Sequence, residues 1–573
     1  MKNRSLLKNL LVMAILIAMT NKLFSQNPLF IPPTISGTNF SLSVQADSTE
    51  FFTGHKTPTY GVNGNILGPT LILNKGDNVT LNVTNNLPVV TTMHWHGLHV
   101  PAHADGGPHQ MIMQGMTWSP NFTVMNDAAT YWYHPHGQNR TDIQVSKGLA
   151  GLIIVKDSLE GTLDLPRTYG IDDIPLIVQT KCFDVLYQTA IATVFDTVPM
   201  INATINPYLN APAQIIRLRL LNGASDRSFL FGFSNNMTFY QIATDGSLVN
   251  SPVPMDRLRL SPGERAEVLI DLSSLQGQTI YLKNYGSQLP DGIIGAQNVG
   301  MGGSQIPDYN QNFLNGADYN LMELNVVSPT SNPVMTIPAT LANFQPIDTN
   351  LIDRTRELIF APQTMDPMEL VEGPFTINGH QFSMDTINDT TFLNQVEKWT
   401  LINNTLIAHP FHIHDVQFYI TDVNGSPAPA FETGKKDVVL VMPMQQVSFI
   451  TKFEDFADTI PYMYHCHLLH HEDDGMMGSF IVIDTSSTLI SELKHQQKIE
   501  VFPNPLVGTE LRFDLPIDYK SANYQIINCL GSIVISGKEN QDNKIDVSSL
   551  GKGVFFLRIL SDKNTFYSKF IIQ

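Results

Sequence analysis

The chain has 573 residues, 34 basic and 52 acidic, for a formal net charge of −18. A hydrophobic share of 43% over this length suffices for three or four domain cores. The acidic balance argues against nucleic acid or an anionic membrane surface as a partner.

The first 26 residues read as a secretory signal. Lys2, Arg4 and Lys8 precede an apolar run from Leu10 to Met19, and polar residues follow through Ser25-Gln26. The run is too short to span a bilayer, which takes about 20 residues, and no later stretch is long enough for a transmembrane segment. Its removal takes away Lys2, Arg4, Lys8 and Lys22 and no acid, so the net charge falls from −18 to about −22.

From residue 27 onward, short alternating apolar segments are broken by Gly, Pro and Asn, with no long amphipathic helix. That is an all-β pattern. Residues 79–96 (VTLNVTNNLPVVTTMHWH), 216–231 (IRLRLLNGASDRSFLF) and 399–414 (WTLINNTLIAHPFHIH) repeat one layout: an apolar strand, an Asn-containing turn and a second strand. The second strand carries histidines in the first and third copies. In the middle copy it holds Ser228, Phe229, Leu230 and Phe231.

The later halves repeat too. Tyr131-Trp-Tyr-His-Pro-His and Tyr462-Met-Tyr-His-Cys-His each precede a glycine-led apolar strand, at Gly151 and at Gly478. The repeats predict three β-sandwich domains over 27–160, 161–335 and 336–486. A polar linker over 487–498 follows, and a small β module occupies 499–573. Within the middle domain, Ser261-Pro-Gly-Glu-Arg-Ala-Glu-Val-Leu-Ile-Asp271 reads as a tight turn entering a strand.

The chemistry concentrates in the histidines. Cys466 stands between His465 and His467, with His471 five residues after it and Met476 ten after it. Thiolate, imidazole and a weak thioether form the ligand set of a blue-copper centre. Side chains alternate along a strand, so His465 and His467 point one way and Cys466 the other. Two metal sites could then share three residues.

His94-Trp-His96, His134-Pro-His136 and His409-Pro-Phe-His412-Ile-His414 supply further pairs on single strand faces, bringing the total to ten of the seventeen histidines. Zinc alone would account for clusters of three or four ligands. It would not account for a Cys-His-Met set sharing a strand with two other ligands. Cys182 and Cys529 lie far apart and read as buried small apolar residues rather than a disulfide.

These motifs resemble the multicopper oxidases: laccases, bilirubin oxidases and bacterial copper-efflux oxidases. The resemblance runs from about residue 30 to about 486 with the motifs in the family's order. It implies an all-β chain of three cupredoxin-like β-sandwich domains, the middle one copper-free, followed by the small C-terminal β-sandwich. It implies a type 1 copper held by His409, Cys466, His471 and axial Met476, and a type 2 copper held by His94 and His412. The type 3 copper pair would take His96, His134, His136, His414, His465 and His467. No ligand position is vacant, whereas some relatives keep the fold and lose the copper.

The activity implied is one-electron oxidation of a small-molecule reductant, coupled to reduction of dioxygen to water. Cys466 would lie on the electron path. Asp105 matches an acid near the type 2 copper of bacterial relatives, and Glu472 an acid on the type 3 side; both are candidates for proton delivery. The Ser261–Asp271 segment resembles a middle-domain segment common in these enzymes. Asp415 replaces a glycine seen in some relatives.

Copper-efflux oxidases carry a methionine-rich insertion over the type 1 site. Here Met365-Asp-Pro-Met368 is followed seven residues later by the strand at Phe375, and Thr405-Leu-Ile-Ala before His409 contains no acid or thioether. Both departures favour phenols or related aromatic donors. The alternatives are a cuprous-ion oxidase and a secreted copper-binding protein without turnover. His99, His103, His109, His470, Met111, Met113 and Met116 read as surface and packing residues, with a copper-loading path as the alternative, since thioether and imidazole suit cuprous ion.

Beyond residue 499, Val501-Phe-Pro-Asn-Pro505, the stretch from Ile545 to Leu557 and the terminal Lys569-Phe-Ile-Ile-Gln resemble the C-terminal sorting domains of type IX secretion cargo. That implies a secreted or cell-surface protein, exported through the periplasm, with the type IX machinery as a partner; an ordinary accessory β-sandwich is the alternative.

Overall fold

Alternation of apolar and polar residues builds the sheets. Strand Asn78–Asn85 buries Val79, Leu81 and Val83 completely and leaves Thr80, Asn82 and Thr84 half-exposed. This is the period-2 pattern of a sheet with one face on a core. The same logic runs through a nearly all-β chain. The computed structural model describes residues 26–573 except 192–193, 365, 367, 486–496, 515–522, 529–532, 539–542 and 561–564. The expected signal segment (all but Gln26), most of the expected linker, and Cys529 lie outside the described residues. Among the described residues, no helix is long and apolar enough to cross a membrane.

The chain divides into two compact units, Met1–Ile483 and Asp484–Gln573. The first contains three two-sheet sandwiches. In the first sandwich, one sheet runs Thr34–Ser36, Thr70–Asn74, Gly151–Lys156, Ala129–His134, His94–His96. It faces a second sheet built on His55–Val62, Asn39–Phe52 and Asn78–Asn85. In the third sandwich, one sheet is ordered Asp389–Phe392, Met477–Ile483, Tyr462–Cys466, His409–Ile413, Val438–Val441. Its core includes Trp399, Phe411, Cys466 and Met476. Of the histidine-bearing strands, Ala129–His134, Tyr462–Cys466 and His409–Ile413 are inner strands and His94–His96 is the edge of its sheet, yet all four are buried along their whole length.

The middle sandwich packs Phe229, Phe231 and Phe233 into its core from the strand that corresponds to the histidine strands. Strand Arg265–Asp271 is central there, paired with Ile215–Asn222 on one side and Phe239–Ala243 on the other. The short strand Asn27–Pro28 joins the middle sandwich by pairing with Pro207 and Tyr208. Cys182 is only half-buried, contrary to the expectation of burial. It sits near the end of strand Asp173–Phe183, where pairing has dwindled to the two-residue strand Thr189–Ala190.

The second unit has a five-stranded and a three-stranded sheet around a core that includes Leu511, Ile526, Leu557, Phe566 and Phe570.

Candidate metal centre

Strand pairing brings the histidines together. In the first sandwich, His94 lies opposite His134 and Trp132 opposite His96. In the third, His412 lies opposite His465 and Phe411 opposite Cys466. The two sandwiches face each other across these strands, so eight imidazoles meet in one place, each at most 1% exposed. The short helix Leu469–Asp473 follows Cys466 at once and carries His471 and Glu472 back toward the sheet.

The alternation expected of residues 465–467 holds. The Cys466 thiol faces away from its neighbours, with Sγ 3.5 Å from His409 Nδ1 and 3.6 Å from His471 Nδ1. These three form one compact donor group. Thr405 Oγ1, 2.9 Å from His409 Nε2, fixes that ring with Nδ1 toward the sulfur. Phe375 packs edge-on against both imidazoles, ring centres 4.7 Å away.

Met476 is fully buried beside them. Its carbonyl accepts the Cys466 N–H at 3.0 Å, and its own N–H donates to the His471 carbonyl at 2.8 Å. Burial pushes the Cys466 thiol well above its ordinary range, so a metal bound here displaces its proton.

His465 and His467 face the other way, into the cluster with His94, His96, His134, His136, His412 and His414. His136 Nε2 lies 3.0 Å from His414 Nε2 and 3.2 Å from His465 Nε2. The rings of His94 and His414 stack at 3.9 Å, and those of His96 and His412 at 3.7 Å.

The Nδ1 atoms mostly face oxygens: Asp105 O for His94, Pro135 O for His134, Asp437 O for His412, Cys466 O for His465. A carbonyl can only accept, so each Nδ1 carries the proton and each Nε2 keeps its lone pair. His96 is reversed. Its Nε2 meets the Asp437 carboxylate at 3.1 Å, and its Nδ1 meets His134 Nε2 at 3.3 Å.

Whether these residues fit a metal can be read from the orphaned atoms. His94 Nε2, His412 Nε2 and both ring nitrogens of His467 are buried without a hydrogen-bond partner. Each such atom costs about 1–3 kcal/mol, and lone pairs converging this way are what a bound cation would satisfy. Burial first, then the neighbouring rings, hold His96, His134, His136, His412 and His465 well below the ordinary imidazole range. Burial likewise brings His409 and His467 to about 3 and His414 to about 4. All are therefore neutral, the form that ligates metal.

The two acids singled out from sequence lie on different edges of the cluster. Asp105 Oδ2 is 2.7 Å from His414 Nδ1 and Oδ1 is 3.4 Å from His94 Nδ1. Burial alone would lift this carboxyl, but the facing His414 and His94 outweigh it and hold it well below the usual range. Glu472 lies 3.1 Å from His136 Nδ1 and 3.2 Å from His465 Nδ1 and accepts the Thr141 hydroxyl at 2.6 Å. Burial, reinforced by Asp473, pushes it well above.

Sequence reasoning missed Asp437 and Thr405, both touching clustered imidazoles. It also left Asp415 unexplained. This residue adopts φ 71°, the left-handed region that glycine occupies at least cost. His99 Nδ1 anchors its carboxylate at 2.9 Å. Of the residues read as surface and packing, His103 and His470 pair with Asp458 and Asp226, and Met111, Met113 and Met116 are 59%, 59% and 60% exposed.

Comparison with known proteins agrees with this geometry. Residues 43–160, 204–292 and 354–486 each match a multicopper oxidase family model, and residues 500–573 match that of the secretion system C-terminal sorting domain. The chain is 35% identical to the multicopper oxidase mco of Staphylococcus haemolyticus over 456 residues, 78% of this chain and 88% of the relative. It is 31% identical to the cell division protein FtsP of Dickeya dadantii over 468 residues, 80% of this chain and 92% of the relative.

Among solved structures, the laccase-like multicopper oxidase CueO of Ochrobactrum sp. matches with a TM-score of 0.70 and 33% identity, covering 80% of this chain and all of that one. The chain belongs to the multicopper oxidase family. It is a copper-binding oxidase that carries a secretion sorting domain.

Proposed function

We propose that the protein is a secreted, laccase-like oxidase that couples one-electron oxidation of small phenolic or related reductants to the reduction of dioxygen to water. The observation that carries this reading is Cys466. Its thiol belongs to a three-donor group with His409 and His471, while its covalent neighbours His465 and His467 belong to the eight-imidazole cluster. An electron arriving at the first site would reach the second through a few bonds of one strand.

His409, Cys466 and His471, together with Met476, would hold a type 1 copper. His94 and His412 would hold a type 2 copper. His96, His134, His136, His414, His465 and His467 would hold the type 3 pair. Bound copper would supply the one-electron redox chemistry and the activation of dioxygen.

The remaining tasks fall to the chain. Carbonyls and carboxylates fix each ring's tautomer and direction. Asp105 and Glu472, on different edges of the cluster, would relay the protons that water formation consumes, Asp105 as a carboxylate that accepts and passes them and Glu472 as an acid that gives them up. Asp105→Asn should leave bleaching of the blue colour by a phenol as fast as in the parent. Its return on admitting oxygen should slow about 10²-fold, most at higher pH. Rapid-mixing absorbance follows both phases, and equal slowing of the two would make Asp105 structural.

Two features support a small aromatic reductant. The connection over the type 1 group is short: helix Glu369–Glu372 leads almost directly to strand Phe375–Ile377. A cavity of about 440 Å³ opens beside His470, walled by Ile143, Ile294, Ile306 and Tyr309, with Asp226 and Arg227 as polar groups. The Ochrobactrum relative is described as oxidising lignin model compounds. A cuprous-ion oxidase is the second reading, favoured by the exposed Met111, Met113 and Met116.

Oxygen uptake with a methoxyphenol or with cuprous ion, before and after copper loading, separates these readings. No uptake with either would leave a copper-binding protein without turnover.

The sorting-domain match supports export by the type IX machinery, with the tail outside the chemistry. A chain of residues 27–483 should therefore fold and oxidise phenols within about twofold of the full-length rate. A loss of more than tenfold would make the second unit part of the enzyme.

A further inference from the structure

The middle sandwich contributes none of the clustered histidines, yet it reaches the cluster. Ser261 N–H and Oγ–H both donate to Glu264 Oε2 at 2.7 Å, closing the turn that launches strand Arg265–Asp271. Arg265, 1% exposed, leaves the start of that strand with all five of its N–H donors engaged. Nε donates to Thr130 O at 3.2 Å, Nη1 to Gly263 O at 3.1 Å and Nη2 to Asp245 O at 2.9 Å. The other two grip Asp437 as a fork, at 2.5 Å to Oδ1 and 2.6 Å to Oδ2. Asp437 in turn touches two imidazoles: Oδ1 accepts from His96 Nε2 at 3.1 Å, and its carbonyl accepts from His412 Nδ1 at 2.8 Å.

We propose that Arg265 is a positioning residue of the histidine cluster. Through its fork on Asp437 it sets the reversed orientation of His96 and the direction of His412, and it keeps the Asp437 carboxylate from becoming a metal ligand. The inference rests on the copper assignment above.

Three observations carry it. The His96, His412 and Asp437 donor atoms lie close enough to form a competing three-ligand site. A guanidinium holding both carboxylate oxygens removes them from that competition. His96 is the ring whose Nε2 meets a carboxylate, and that contact leaves Nδ1 as the donor facing His134.

The approach is also too close for side chains in between. A Cβ on Gly97 would come 2.5 Å from Asp437 Oδ2 and 2.7 Å from Arg265 Nη2, and one on Gly263 would come 2.9 Å from the His467 ring. The Pro-Gly turn of the middle domain is pressed onto the cluster, and a longer residue there would push the fork away.

Arg265→Lys and Arg265→Met in the copper-loaded full-length protein test this, with Asp437→Asn as a third variant that keeps volume and removes the charge. The readouts are blue absorbance per chain, the type 2 electron paramagnetic resonance signal and copper per chain. Second-sphere losses of this kind weaken metal affinity about 10–100-fold. The expected result is an unchanged blue band in all three variants. The type 2 signal should be shifted in Arg265→Lys, because an ammonium cannot make the fork, and in Asp437→Asn, and lost with its copper in Arg265→Met.

A parent-like type 2 signal in Arg265→Lys and Asp437→Asn would overturn the inference. Joint loss of the blue and type 2 signals in Arg265→Lys would overturn it in favour of a purely structural ion pair. A parent that itself shows no type 2 signal would instead sink the copper assignment. If Arg265→Met fails to fold, the other two variants decide.

Discussion

Cys466→Ser is expected to abolish the blue colour and to lower phenol oxidation by at least about 10³-fold, while the type 2 signal remains. A hydroxyl replaces a thiol of nearly the same size, so the buried site stays filled. A serine oxygen is neither ionised nor soft enough to serve as the strongly bonded donor of a blue centre. The electron path is cut at the same atom, because Sγ is the donor within 3.6 Å of both His409 and His471. His465 and His467 point away from it into the eight-imidazole cluster, so that cluster should still bind metal. Persistence of the blue band in the variant would remove Cys466 from the type 1 site.

The second large effect concerns stability. Glu267 is fully buried where the first and middle sandwiches meet. It accepts from Arg217 Nε at 2.9 Å, Arg219 Nη1 at 2.6 Å and the Thr130 hydroxyl at 2.6 Å. Glu267→Ala leaves two buried guanidinium groups short of their anion, which costs about 3–5 kcal/mol. The first unit, whose length makes each kcal/mol worth about 1 °C, should melt about 4 °C lower. Burial would lift the Glu267 carboxyl, but Arg217 and Arg219 overcome that and bring it from the ordinary 4.5 down to about 2.

A depressed folded-state value means the stabilisation is complete above the unfolded-state value and disappears as pH falls below it. The parent should therefore lose about 3 kcal/mol of this contribution between pH 4.5 and 2, and Glu267→Ala should lack that part of the acid transition. Calorimetry across that range decides it. A variant melting within about 1 °C of the parent at neutral pH would show that the network is not holding the sandwiches together.

The all-β layout was legible because three local signals agreed: period-2 alternation, Asn and Gly turns, and the repeated strand–turn–strand segment. The facing of residues 465–467 followed from strand alternation alone. What escaped was whatever depends on tertiary contact between ordinary-looking residues. Arg265 reads as one charge in a turn, and Asp437 as one acid before an apolar strand. They meet only because the middle sandwich inserts its turn between the other two.

Thr405 stood out in sequence only because it is not an acid or a thioether, yet its hydroxyl fixes His409. Asp415 looked arbitrary beside His414 until its φ of 71° showed a backbone that glycine tolerates best and that an aspartate held by His99 can also adopt.

The central claim is that one chain holds a three-donor copper site and an eight-imidazole copper cluster joined through Cys466. Copper per chain, counted together with the fraction of that copper visible by electron paramagnetic resonance, tests it most directly. About four coppers per copper-loaded chain are expected, with about half of them visible: one type 1 and one type 2 centre, the coupled pair being silent. About one copper per chain, all of it visible, would contradict the account.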